Sequence, residues 1–185
     1  FWNPLKQKMY SRYGKPLELP EHIINTMPGD LFLDGELWFV YHETEYNLPS
    51  WLFCHRFGRD NFQESLKIAT KNELAKLDWN NFKYMVFDIP TMKNTYAERY
   101  NRLGKMPLQV FELIIFVEAF FSQEGTKSKY MNLVPKRACK GVDHLDEYFQ
   151  EVVDLGGEGV ILRDPTSSYE SGRSNGFLKH KVRTL

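Results

Sequence analysis

The stretch from Gly157 to Val182, GEGVILRDPTSSYESGRSNGFLKHKV, does most to limit what this chain can fold into. A carboxylate, Glu158, opens a short apolar strand, and Lys179 and Lys181 sit two apart in a second one. Alternate side chains of a strand share a face, so both ammonium groups point the same way. Two cations aimed together suit a phosphate, and a carboxylate on a neighbouring strand suits a divalent metal that bridges it. Arg163 and Arg173 lie between them as further cations. Taken singly each feature has a plainer meaning: a Glu after Gly-Gly marks a strand start, and paired lysines form a charged edge that deters aggregation. Their order and their echo upstream give them a joint meaning.

A chain of 185 residues with 42% hydrophobic and 15% aromatic content can bury a sizeable core, which implies one globular domain. Lys plus Arg equals Asp plus Glu at 24 each, which excludes a protein that grips nucleic acid by overall charge and leaves local basic patches open. Two cysteines, Cys54 and Cys139, form no disulfide framework, and their scarcity fits a reducing, intracellular setting. The histidines show no ligand spacing with either cysteine, so no zinc site is expected. No apolar run is long enough to span a bilayer; the longest, near Leu113 to Val117, is interrupted by Glu112 and Glu118.

Taken in order, Lys8 to Arg12 alternates like a strand and breaks at Gly14 and Pro16, which predicts a hairpin turn. Leu17 to Ile24 reads as loop with a short helical turn. Leu31 to Tyr41 is the expected central strand, kinked at Asp34-Gly35. From Asp60, Phe62, Leu66 and Ala69 are spaced for one helical face, ending before Trp79. Tyr84 to Ile89, closed by Pro90, is a compact buried strand. Thr95 with Glu98 three positions on predicts a capped helix ended by Gly104. Leu108 to Val117 returns to strand, and Ser122 to Lys129 reads as an exposed loop. Asp143 starts a third helix, with Leu145, Phe149 and Val152 on one face, ended by Gly156-Gly157. Gly159 to Arg163 and Phe177 to Val182 close the chain as strands. Strands and helices do not alternate as a doubly wound parallel sheet requires, so the expected class is α+β with mainly antiparallel sheets flanked by helices.

Three further elements join the first one. Leu33-Asp34-Gly35-Glu36 puts a second acidic group at a strand end, Tyr84-Met85-Val86-Phe87-Asp88-Ile89 carries an aromatic next to an Asp, and Ser11-Arg12-Tyr13-Gly14 places an arginine at a turn. In this order they resemble the covalent nucleotidyltransferase superfamily of ATP-dependent DNA ligases, RNA ligases and mRNA capping enzymes, over almost the whole chain. The resemblance implies an ATP-grasp-like nucleotidyltransferase domain, with ATP and Mg²⁺ as cofactors and nicked duplex DNA as partner. It implies that Glu36 and Glu158 hold Mg²⁺ or the ribose, that Phe87 stacks on adenine, and that Lys179 and Lys181 neutralise the α-phosphate. Lys179, Lys181 and Glu158 are then the catalytic residues. By similarity Arg12 reaches the 5′-phosphate of the nick and Arg173 steadies the DNA backbone. Asp34 and Asp88 look structural, holding turns or strand ends.

Gly157-Glu158-Gly159-Val160-Ile161-Leu162-Arg163, then Pro165 and Tyr169-x-x-Gly-Arg-Ser, resembles a DNA ligase, as does Phe57-Gly58-Arg59. The alternatives are an mRNA capping guanylyltransferase, an RNA ligase relative, or a non-catalytic nucleotide-binding remnant. The chain departs from the family pattern in one respect: no Lys-x-Asp-Gly nucleophile string occurs in it. The expectation is that residues 1–185 are part of a ligase adenylation domain, acting as a monomer. The nucleophile loop would lie upstream of Phe1 and an oligonucleotide-binding fold downstream of Leu185, leaving this chain alone inactive.

Overall fold

The computed structural model describes residues 1–39, 77–106, 108–110, 128–154 and 157–182. Its core assembles on β5 (Phe82–Asp88), in which Phe82, Tyr84, Val86 and Asp88 alternate along one face and are all buried. That period of two is what a strand needs to put one face against a core. Trp2, Met9, Ile23, Leu33 and Leu103 meet this face.

Three sheets surround that core. Strands β1 (Trp2–Asn3), β2 (Lys8–Tyr10) and β3 (Pro16–Leu17) form an antiparallel meander, with the expected turn closed at Gly14, whose φ is 75°. A short helix, α1 (Glu21–Ile24), follows and buries Ile23. Trp2 ties this sheet to the next by backbone bonds to Leu33, and its indole Nε1 donates to the Pro28 carbonyl at 2.8 Å. The second sheet has the order β4 (Asp34–Phe39), β5, β7 (Ser128–Leu133), β6 (Leu108–Val110). The third is the antiparallel hairpin of β8 (Gly159–Arg163) and β9 (Phe177–Lys181).

The fold is α+β and most strand pairings among the described residues are antiparallel, as expected, with one sheet departing from that pattern. The four-stranded sheet is mixed, because β5–β7 and β6–β7 run parallel while β4–β5 is antiparallel. Parallel strands require a crossover. Helix α2 (Tyr96–Gly104) supplies one between β5 and β6, and β7 occupies the gap between those two strands.

The expected kink in β4 is present as a register shift between Asp34 and Gly35. A Cβ at Gly35 would lie 2.4 Å from the Met85 carbonyl oxygen, so the strands can close there only around a glycine. The strand is not central, however. Among the described residues β4 flanks the sheet and β5 and β7 lie inside it, which fits the nearly continuous burial of β5. The loop expected over Ser122 to Lys129 is also corrected for its described part, since Ser128 and Lys129 begin β7. The helix expected from Asp60, the far end of the Leu108 to Val117 strand and Phe57-Gly58-Arg59 lie outside the described residues.

Helix α2 starts as its sequence predicts. The Thr95 side chain accepts from the Glu98 amide, and the Glu98 carboxylate accepts from the Thr95 amide at 2.9 Å and hydroxyl at 2.7 Å. It ends on Gly104, followed by Lys105 in right-handed rather than left-handed geometry. Helix α3 (Val142–Asp154) keeps Leu145, Phe149 and Val152 half-buried, and the Phe149 ring centroid lies 4.1 Å from that of His180 on β9.

One ionic cluster fastens the hairpin to the sheet. Asp88 is fully buried and accepts from Arg99 Nε at 2.6 Å and Nη2 at 3.1 Å, and also from Arg163 Nη2 on β8. Arg99, itself fully buried, uses Nη1 to donate to the carbonyls of Asn94 and Ser167. The segment after β8 docks on the start of α2, with the Tyr96 amide donating to Ser167 and the Ala97 amide to Pro165. Tyr169 closes the arrangement by donating its hydroxyl to Asp34 at 2.8 Å.

Removing the carboxylate charge leaves two guanidinium groups uncompensated, so Asp88→Asn is expected to lower the unfolding free energy by about 3–5 kcal/mol. Glu151→Gln breaks the half-exposed pair with Arg137 and is expected to cost under about 1 kcal/mol. Denaturant melts compare the two. The hydrogen bonds from Thr95 hold the Glu98 carboxyl below its usual pKa. The cap's contribution is therefore complete above the unfolded carboxyl pKa and lost as pH falls through the lowered folded value. A fall in the amide protection factors of the first turn of α2 on acidification, taken relative to the intrinsic exchange rate at each pH, is the expected sign.

Candidate functional site

The β8–β9 hairpin is built around Gly159, whose φ of 141° is a conformation that side chains other than glycine's rarely adopt. A Cβ there would fall 2.1 Å from the His180 carbonyl oxygen. The close approach sets the register, pairing Gly159 with Lys181, Ile161 with Lys179 and Arg163 with Phe177. Lys179 and Lys181 consequently share one face of the hairpin with Arg163 and Phe177.

Lys181 Nζ donates to Glu158 Oε2 at 2.5 Å, and the pair is exposed, at 52% and 73% of the two side chains. Such a pair adds about 0–1 kcal/mol to stability and exchanges readily for another partner. Lys179 is exposed, with Nζ 5.6 Å from the Phe177 ring centroid. The guanidinium of Arg163 is held between aromatic rings, 4.0 Å from the Tyr96 centroid and 4.9 Å from that of Phe177.

On the four-stranded sheet, Glu36 pairs with Met85, two positions from Phe87. Glu36, Met85 and Phe87 therefore share the face opposite the one that carries Tyr84 and Val86. Glu36 is exposed and Phe87 half-buried, so both carry surface a ligand can cover. Asp34 and Asp88 instead point into the packing described above, and their partners, Tyr169, Arg99 and Arg163, give them the structural role their sequence context implied.

Arg12 stands exposed in the turn between β2 and β3, donating from Nη2 to the Tyr13 hydroxyl at 2.7 Å. Arg173 is exposed just after Gly172, a glycine with a φ of 87°. The structure thus joins Glu158 to Lys181, sets Lys179 beside them, and groups Glu36 with Phe87; the two arginines occupy separate turns. A surface hollow of about 400 Å³, lined by Gln7, Met9, Leu17 and Ile24 among others, contains none of these residues.

Among the described residues no three His, Cys, Asp or Glu side chains cluster as a metal cage. Mg²⁺ does not need one, since it commonly takes one or two carboxylates and completes its shell with phosphate oxygens and water. Glu158 and Glu36, both exposed, fit that mode. Arg99 is the site-supporting residue that the sequence reading passed over. Its signal was an arginine on the buried side of α2, in line with Tyr96 and Leu103.

A family model described as the ATP dependent DNA ligase domain matches residues 5–181, and the chain belongs to that family. It is similar to a DNA ligase of Haemophilus influenzae, 27% identical over 183 residues that cover 98% of this chain and 53% of that protein. A DNA ligase of Pyrobaculum islandicum is 23% identical over 153 residues, covering 82% of this chain and 22% of that protein. The chain thus spans about half the length of the first relative and under a quarter of the second. A solved structure from a structure-function analysis of Lig E DNA ligases, concerned with DNA binding on a minimal scaffold, superposes with a TM-score of 0.68. It covers 98% of this chain and 57% of its own at 20% identity, a likeness of fold. None of these relatives is a capping enzyme or an RNA ligase.

Because both partners of the Glu158–Lys181 pair are exposed, Lys181→Ala and Glu158→Gln are each expected to change the unfolding free energy by under about 1 kcal/mol. Thermal melts check this. A loss as large as that expected for Asp88→Asn would mean that the pair supports the fold.

Proposed function

We propose that this chain is the nucleotide-binding part of an ATP-dependent DNA ligase that seals nicks in duplex DNA through lysyl-AMP and DNA-adenylate intermediates. The reading rests on one observation above all: within the family match, Lys179 and Lys181 lie on one strand face with Glu158 in contact across the hairpin. In its finer detail we read the fold as an ATP-grasp-like nucleotidyltransferase domain.

In the first step of such a reaction a lysine nitrogen attacks the α-phosphorus of ATP, forming a P–N bond as the P–O bond to pyrophosphate breaks. Negative charge accumulates on the phosphate oxygens and the departing pyrophosphate. Lys179 and Lys181 are placed to neutralise it, and electrostatic groups already in position need no reorganisation at that moment. Mg²⁺ held by Glu158 and Glu36 would offset further phosphate charge. The exposed Glu158–Lys181 pair is weak, so Glu158 would be available to hold the metal and Lys181 to meet the phosphate. Phe87 offers its ring to adenine, a contact that needs only a flat base. Arg12 takes the 5′-phosphate of the nick and Arg173 the DNA backbone, contacts that position the duplex without reading its sequence.

The sequence holds no Lys-x-Asp-Gly string. On this reading the 185 residues are one part of an adenylation domain, binding Mg²⁺ and ATP without becoming adenylated. We place the protein inside the cell as a monomer serving DNA repair, recombination or replication, without a membrane partner. No helix among the described residues is long and apolar enough to cross a membrane.

Two measurements test the reading. In a ligase containing this domain, Lys179→Ala and Lys181→Ala are each expected to slow lysyl-AMP formation by about two to three orders of magnitude, as for loss of a charge-stabilising donor. A near-normal rate in either variant removes that lysine from the site. For the chain itself, incubation with labelled ATP and Mg²⁺ followed by denaturation is expected to leave no label on the protein. A stable adduct would show that another lysine, Lys6 or Lys8 being nearest the family position, serves as nucleophile.

A further inference from the structure

The neutrality of this chain is unevenly distributed. Its first 17 residues contain Lys6, Lys8, Arg12 and Lys15 and no acidic group, leaving 20 Lys and Arg against 24 Asp and Glu in the other 168. All four cations are exposed, and none forms an ion pair with a described residue. Elsewhere Arg99, Arg163, Arg137 and Lys181 each have a carboxylate. Glu18, exposed just past β3, continues the β2–β3 register opposite Lys8. The sheet and its turns thus carry four cations beside one carboxylate, an excess that raises the local potential and that an anionic partner offsets.

Their setting is a rigid one. In the β1–β3 meander Trp2, Met9 and Leu17 point into the core, so Lys8, paired with Asn3, belongs to the outer face together with Tyr10. Lys6 sits in the turn at one end of β2, whose backbone is fastened by the Lys6 amide donating to Asn3 Oδ1 at 3.1 Å. Arg12 and Lys15 sit in the turn at the other end. There the Ser11 hydroxyl oxygen accepts from the amides of Tyr13 and Lys15, and the Gly14 amide donates to the Ser11 carbonyl. At roughly 3.3 Å per residue the stretch from Lys6 to Arg12 reaches up to about 20 Å. A duplex strand has one phosphate per about 3.4 Å of helix axis, winding around it, so that length spans several phosphates of which only those on the near side face one surface. Tyr13, 75% exposed, adds a ring beside Arg12 that a sugar or base can cover.

We propose that the outer face of β1–β3 is a DNA-backbone contact surface, in which Lys6, Lys8 and Lys15 extend the contact assigned to Arg12. The proposal rests on the reading of this chain as part of a DNA ligase. Cations carried on a small sheet and the turns at its two ends suit the phosphates on the near side of a duplex. Contacts of this kind fix register on the duplex independently of sequence, as the joining of arbitrary ends requires.

Fluorescence anisotropy of a labelled nicked duplex, titrated with the chain at several KCl concentrations, tests it. Each lost phosphate contact lowers the slope of log K against log salt by about 0.9, so combined Lys6→Ala, Lys8→Ala and Lys15→Ala should reduce it by about three. The melting temperature should stay that of the wild type. Removing the same charge elsewhere, by Lys93→Ala, Lys105→Ala and Lys140→Ala, should leave the slope nearly unchanged. An unchanged slope in the first variant, or an equal loss in the second, overturns the surface while leaving the ligase reading intact. Absence of DNA binding by the wild type at any salt likewise overturns the surface, whereas the ligase reading stands or falls on the lysyl-AMP measurements. Competition by polyglutamate as effective as by unlabelled duplex would assign the face to an acidic protein and overturn the DNA surface.

Discussion

Asp88 holds the two halves of the candidate site in one frame. Phe87 lies on the outward face of β5 while its neighbour Asp88 points inward to Arg99 and Arg163. Arg163 belongs to the strand that pairs with Lys179 and Lys181. A single buried carboxylate therefore couples the sheet carrying Glu36 and Phe87 to the hairpin carrying the lysines. Buried ions are expensive to desolvate, and the cost is offset only where geometry and additional hydrogen bonds are good. Here Arg99 meets both carboxylate oxygens of Asp88 and two backbone carbonyls, while Arg163 lies close to the Tyr96 and Phe177 rings with its buried Nε lacking a hydrogen-bond partner among the described residues. Replacing the cluster by apolar groups could keep the stability, but the directional bonds that define how the hairpin sits would be gone.

A contrast in exposure separates the supporting groups from those proposed to carry the chemistry. Asp88 and Arg99 are fully buried, while Glu158 and Lys181 are mostly in solvent. Groups that fix geometry benefit from a dry surrounding, where the bond is strong and the alternative is costly. Groups that must change partners benefit from water, which keeps the pair weak. Lys181 can leave Glu158 for a phosphate at little cost, whereas Arg99 has nowhere to go. Two glycines complete the frame: Gly35 lets β4 close on β5, and Gly159 lets β8 close on β9, each at a distance no Cβ would allow.

Much of this was legible because the deciding signals are local. The Thr95–Glu98 capping box, the Gly14 turn and the kink at Asp34-Gly35 each depend on a few adjacent residues, and each is present. The placement of Lys179 and Lys181 follows from alternation alone. The mixed sheet was not legible, because strand direction is set by which distant strands pair, and nothing within β7 states that it lies between β5 and β6. β7 also escaped notice as a strand because Asn132, a polar residue, interrupts its short apolar run, although it is buried opposite Met85. Arg99 was overlooked because an arginine normally reads as solvated; its buried partner stands eleven residues earlier, on another element.

The central claim is that sheet and hairpin form one nucleotide site through the Asp88 cluster. The most direct test is an NMR titration of the chain with ATP and Mg²⁺, following the amides of Glu36, Phe87, Glu158, Lys179 and Lys181. The account predicts that all five shift together along one binding curve, and that Arg163→Lys, which keeps the charge but loses the planar fork, weakens that curve for both groups equally. Shifts confined to the hairpin or to the sheet, or a variant that affects one group alone, would contradict it.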